Sequence, residues 1–140
     1  AIMGYTGFGT AEKTTRIGAY AFYRCDALNE IYISDSVEKI GNRAFIHCRN
    51  LMNLQLSANI TEIPSGMCVG CSSLEWIDIP DGVTIIRSSA FMGCESLQCI
   101  SIPDSVERIQ GRIVDNNSEV YFDTNNPVAI EYAERYLNRY

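Results

Sequence analysis

Long apolar runs are missing from this 140-residue chain. None approaches the roughly 20 residues that a membrane-crossing helix needs, so insertion into a bilayer is not expected. Histidine is almost missing too, with His47 alone. Without a second histidine, a nucleophile elbow, a G-x-x-x-x-G-K loop or a paired-carboxylate signature, no catalytic constellation emerges, and neither an enzyme nor a cofactor is expected. Positive charge is scarce: 11 Lys and Arg against 17 Asp and Glu leave a net charge of −6. A phosphate-backbone binder would carry a basic stripe, so nucleic acid is not an expected partner.

What is present is a repeat. Ile17, Ile40, Ile63, Ile86 and Ile109 follow one another at intervals of 23 residues, and other columns keep the same step. Phe22, Phe45, Cys68 and Phe91 form one, Cys25, Cys48, Cys71 and Cys94 another, and Leu28, Leu51, Leu74 and Leu97 a third. Ile31, Leu54, Ile77 and Ile100 follow, then Ile33, Leu56, Ile79 and Ile102, then Val37, Ile60, Val83 and Val106. A repeat that buries apolar side chains from several sides cannot do so alone, so its neighbours must stack on it.

Within each unit, L-x-x-I-x-I has the alternation of a short half-buried strand, closed by turns such as Pro80–Gly82. The A-F pair ahead of each column cysteine predicts a single helical or 3₁₀ turn on another wall. The reading is an α/β solenoid with short stacked parallel strands and a C-terminal capping helix. At a strand spacing of about 4.8 Å, five coils make a rod on the order of 24 Å long.

The pattern I-G-x-x-A-F-x-x-C-x-x-L-x-x-I-x-I-P-x-S-V, read at Ile17–Val37 and Ile86–Val106, resembles the BspA-like class of bacterial leucine-rich repeats. The resemblance covers Ile17 to Arg108 and implies that the solenoid is a right-handed leucine-rich repeat and the chain a secreted or cell-surface bacterial protein with host-binding or adhesive roles. Met67–Cys71 departs from the pattern, and its turn is expected to be distorted.

The chain reads as one solenoid over 1–140. Residues 1–16 are an N-terminal cap or partial coil, 17–108 four repeats, and 109–140 a last strand and capping helix. The last strand, within Ser118–Phe122, is expected about three residues late. Asn126 is a good N-cap, Pro127 suits the first helical position, and Val128, Tyr132, Ala133, Tyr136 and Leu137 give an apolar face over Asn126–Tyr140. Such a helix covers core and strand edges that an open solenoid end exposes.

The cysteine column reads as packed thiols donating to neighbouring backbone carbonyls. Stacked positions satisfy the Cα separation of a disulfide, but their parallel Cβ vectors make its geometry poor. Cys68 and Cys71 spell C-x-x-C; Cys68 sits in the Phe column, and no second ligand pair is present for zinc. Cys99 should point outward, and His47 should occupy a solvated slot shared with Arg24, Gly70 and Gly93.

Core columns are constant while the outward strand positions vary, the expected division between scaffold and recognition surface. These positions are Glu30 and Tyr32, Asn53 and Gln55, Trp76 and Asp78, Cys99 and Ser101, with Glu119, Tyr121 and Asp123 continuing the row. Glu30, Tyr32, Asn53, Gln55, Trp76, Asp78, Ser101 and Tyr121 are the candidate binding residues. The expected partner is a protein, with a glycan or a pure spacer role as alternatives, and a monomer is expected.

Overall fold

The protein was analysed as a computed structural model that describes residues 7–9, 13–116 and 118–137. Part of the expected N-terminal cap and the last three residues of the expected helix lie outside the described residues. Short strands follow one another as β1 (Gly7–Gly9), β2 (Arg16–Ile17), β3 (Glu30–Tyr32), β4 (Lys39–Ile40), β5 (Asn53–Gln55) and β6 (Glu62–Ile63). Then come β7 (Trp76–Asp78), β8 (Ile85–Ile86), β9 (Cys99–Ser101), β10 (Arg108–Ile109), β11 (Tyr121–Asp123) and the helix α1 (Pro127–Tyr136).

Odd-numbered strands stack in parallel as one wall of a β-solenoid of about five turns, and even-numbered strands as a narrower second wall. The step of 23 keeps like residues opposite, Ile31 against Leu54 and Ile77 against Ile100. Alternation does the rest: in β3, β5 and β7 the middle residue is buried and its neighbours are exposed. Each fully buried Leu, Ile or Val contributes about 1.5–3 kcal/mol, which two flanking coils supply and one coil cannot. Gly9 pairs with Tyr32, so β1 adds one more rung to the strand wall.

The third wall is not a helical turn. Alternate amides leave their own coil: Phe22 N–H donates to the Ala44 carbonyl at 2.8 Å and Arg24 N–H to Ile46 at 3.0 Å. Every second residue thus bonds sideways, so the segment becomes a string of tight turns, with Tyr23 N–H to Tyr20 and Cys25 N–H to Phe22. The turns need left-handed backbone at two places per coil. One column holds Tyr20, Arg43, Gly66 and Ser89, the other Arg24, His47, Gly70 and Gly93, all at φ between 52° and 76°. A non-glycine residue costs about 1–2 kcal/mol there.

The third unit keeps this pattern undistorted, with Gly66, Cys68 and Gly70 donating to Ser88, Ala90 and Met92. Met67 and Cys68, both buried, replace Ala and Phe: one side chain grows as its neighbour shrinks, and the filled volume is nearly conserved.

Between the second and third coils the other two walls are interrupted. Gly41, Arg87 and Gln110 N–H donate to the Ile17, Ile63 and Ile86 carbonyls of the preceding coil. Pro64 holds the same slot and has no N–H to give to Ile40. The strands β4 and β6 belong to separate sheets, as do β5 and β7. Ile33, Ile79 and Ile102 N–H reach the next coil at Gln55, Ser101 and Asp123, whereas the equivalent bond from Leu56 to Asp78 is not made. The turn wall runs through this seam unbroken, His47 N–H reaching the Val69 carbonyl at 2.7 Å.

The last strand arrives one residue early, not three late. Tyr121 pairs with Cys99 and Phe122 with Ile100, a step of 22, because one residue is lost between Val120 and the strand. Glu119 therefore lies ahead of the row. Asn126, almost fully buried, ties the cap to the rod: Nδ2 donates to the Pro103 and Val106 carbonyls at 2.9 and 2.8 Å while Oδ1 accepts from Val128 N–H. Tyr132 stacks on Phe122, and its hydroxyl accepts from Ile113 N–H at 2.9 Å.

Candidate binding surface

The strand wall gathers most of the residues expected to bind. Parallel register makes two outward columns, in which Glu30 faces Asn53 and Tyr32 faces Gln55, and beyond the seam Trp76, Cys99 and Tyr121 stand beside Asp78, Ser101 and Asp123. A groove of about 940 Å³ lies over the seam. Glu30, Tyr32, Asn53 and Gln55 line one side, and Trp76, Asp78, Pro80 and Asp81 the other. Six of the eight expected residues thus meet in one groove. Ser101 lies outside it, in a smaller hollow with Asp104 and Asp123, and Tyr121 lines neither. Trp76, Tyr32 and Tyr121 expose 48%, 58% and 56% of their surface, a large aromatic area for a folded chain.

Asp81 and Pro80 escaped the sequence reading because they sit in the turn after the strand; the "PDG" stretch was the available signal. Pro64 was a second, the lone proline in a column otherwise Gly, Gly, Arg and Gln. Groove and wall together carry Glu30, Asp78 and Asp81 with no Lys or Arg among the lining residues. The surface offers carboxylates, amides and aromatic faces.

The thiols do something else. Cys48, Cys71 and Cys94 are buried, and each Sγ donates to a carbonyl of the preceding coil, at Phe22, Phe45 and Cys68, over 2.9 to 3.1 Å. Burial, and then the neighbouring Cys71 thiol, pushes Cys48 up to about 12. Burial raises Cys68 and Cys94 as well, Cys68 also through its hydrogen bond to Cys71. Cys25, in the outermost coil of the column, is only half-buried, so the column is not uniformly inaccessible. Cys99 points outward as expected but is half-covered, and burial and then the Asp123 charge raise its pKa. His47 is half-buried, not solvated, because its ring lies over Gly70, where any Cβ would collide with it.

Three walls of repeated coils and a helical plug define a leucine-rich repeat solenoid. The model of the BspA type leucine rich repeat region matches residues 5–121 in six copies, and the chain belongs to this family. Among solved structures it is similar to a leucine rich cell surface protein from Faecalibacterium prausnitzii, at 37% identity and a TM-score of 0.72 over 76% of this chain and 32% of that one. It is also similar to a leucine rich repeat protein from T. pallidum, at 24% identity and a TM-score of 0.70 over 82% of this chain and 56% of that one. A leucine-rich repeat protein from Eubacterium ventriosum shares the fold at 19% identity and a TM-score of 0.63, over 87% and 44%. The chain spans between about a third and somewhat over half of these neighbours. No curated protein matches it. No helix among the described residues is long and apolar enough to cross a membrane.

Proposed function

We propose that the chain is a non-enzymatic binding module of a bacterial cell-surface or secreted protein, and that its strand wall engages a protein partner. The carrying observation is the groove over the seam, where Tyr32 and Trp76 flank the amides of Asn53 and Gln55 and the carboxylates of Glu30, Asp78 and Asp81. Such a surface favours a basic or neutral segment and repels anionic polymers. Charges there govern the on-rate, and the aromatic anchors carry most of the affinity. The Faecalibacterium prausnitzii neighbour, a cell surface protein, supports the location.

The test begins with a screen of the chain against immobilised extracellular host proteins and glycans. A Trp76→Ala/Tyr32→Ala double variant keeps the fold, because both rings are largely exposed, and loses most binding. Asp78→Asn mainly weakens the salt dependence. A partner that binds both variants like the parent removes this wall as the site, and a spacer binds nothing through it.

A further inference from the structure

The turn wall carries a second group of exposed and half-buried side chains, chemically opposite to the groove. Tyr20 and Tyr23 are each about half exposed and meet edge to face at 6.3 Å. The Arg24 guanidinium sits over the Tyr23 ring at 5.5 Å, and the His47 ring lies 6.3 Å from the same tyrosine. Arg43 occupies the column of Tyr20 one coil on, its stem against Gly66. The outward columns of this wall hold Ala19, Asn42, Ser65 and Ser88; Tyr20, Arg43, Gly66 and Ser89; Tyr23, Ile46, Val69 and Met92; and Arg24, His47, Gly70 and Gly93. No carboxylate is among them, in a chain with 17 acidic residues. Asp26 is the nearest in sequence, at the rim beyond Arg24.

The backbone supplies an independent argument. Tyr20, Arg24, Arg43 and His47 all sit in left-handed backbone, in slots that Gly66, Gly70, Gly93 and the small Ser89 hold in the later coils. Glycine meets the demands of the fold there without strain, so it does not explain four large side chains clustered in the first two coils. Strained non-glycine residues gathered at one surface point to a use for the side chains.

We propose that Tyr20, Tyr23, Arg24, Arg43 and His47 form a second interaction surface, whose partner is an acidic segment of another protein. The guanidinium groups offer paired donors to carboxylates. Neither hollow described above reaches this wall, and a small sugar binds best in a concavity. The perpendicular tyrosines, one face already under Arg24, give no flat platform for a sugar ring, whereas ring edges and cations suit an acidic peptide laid along the wall.

The test uses the whole chain and a fluorescent glutamate-rich peptide, with binding read by anisotropy at low and moderate salt. The parent binds, more weakly as salt rises. Arg24→Gly/Arg43→Gly/His47→Gly binds roughly tenfold or more weakly, with a melting temperature unchanged or raised, because glycine adopts left-handed backbone without strain, as Gly66, Gly70 and Gly93 do in the same columns. Tyr23→Ala, outside the strained slots, also weakens binding, while Trp76→Ala does not. Equal binding by the glycine variant and the parent overturns the proposal. So does a large fall in its melting temperature with Tyr23→Ala binding normally, which makes these side chains structural. Capture of a sulfated polysaccharide but not the peptide, or self-association that the glycine variant abolishes without any peptide binding, overturns the choice of partner.

Discussion

Cys48, Cys71 and Cys94 each hold an inward slot and hand a hydrogen bond back one coil. For Cys48 the ordinary value of 9.0 rises to about 12 on folding. Between those values the folded chain retains a proton that the unfolded chain has released. The Cys48 contribution is therefore intact below pH 9 and is lost as pH climbs toward 12, at about 1.4 kcal/mol per pH unit. Urea denaturation across this range should show stability falling with pH, and Cys48→Ala should lose one thiol's share of the slope despite its lower baseline. Equal slopes for parent and variant would show that the thiol ionises freely in the fold. The column itself was plain in the sequence, since four cysteines at one step take the same slot of successive coils. The outlying behaviour of Cys25 was not, because exposure depends on which coils flank a residue and not on its own column.

At the scale of elements, the seam turns on one missing donor. In Pro64→Ala the new N–H supplies the bond to the Ile40 carbonyl that Gly41 and Arg87 make in their own coils. That bond contributes about 1 kcal/mol, and the loss of the proline's stiffness in the unfolded chain costs a similar amount, so net stability should move little. Instead, the amide at position 64 should be protected from hydrogen exchange, and affinity for a partner of the strand wall should fall as the walls close. An unprotected amide there would dissociate the seam from Pro64. Strands were legible in the sequence because alternation and step are local and repeated; Ile31, Leu54, Ile77 and Ile100 all face inward. The turn wall was misread as helical because A-F-x-x-C looks like a helical fragment, while its amides are spoken for by the next coil. The repeated left-handed slots were nevertheless written in Gly66, Gly70 and Gly93. The final strand was misplaced because a single deletion after Val120 resets the register, and periodicity says nothing about deletions. Of the groove, the strand residues were legible from alternation, whereas Pro80 and Asp81 come from a turn that alternation does not reach.

For the whole molecule, stability in a solenoid is a sum of coils and of contacts between neighbours, so a seam divides it unevenly. Coils three to five keep both strand ladders and the helical cap, whereas backbone hydrogen bonds tie the first two to them through the turn wall alone. Native-state hydrogen exchange should find Leu74–Phe122 more protected than Ile17–Leu56; uniform protection along the rod would mean that the seam is no boundary. Along the turn wall, every amide that leaves its coil aims at the next one toward the C-terminal end, and the last, of Gly93, ends on the Asp115 carboxylate at 3.1 Å. Peptide dipoles aligned in this way add, as they do along a helix and do not in an ordinary sheet. The rod is thus electrically polar along its length, positive toward Asp115, and that carboxylate neutralises its pole as an acidic cap neutralises the start of a helix. A charged group placed against one end of the turn wall therefore meets the opposite pole from one placed against the other.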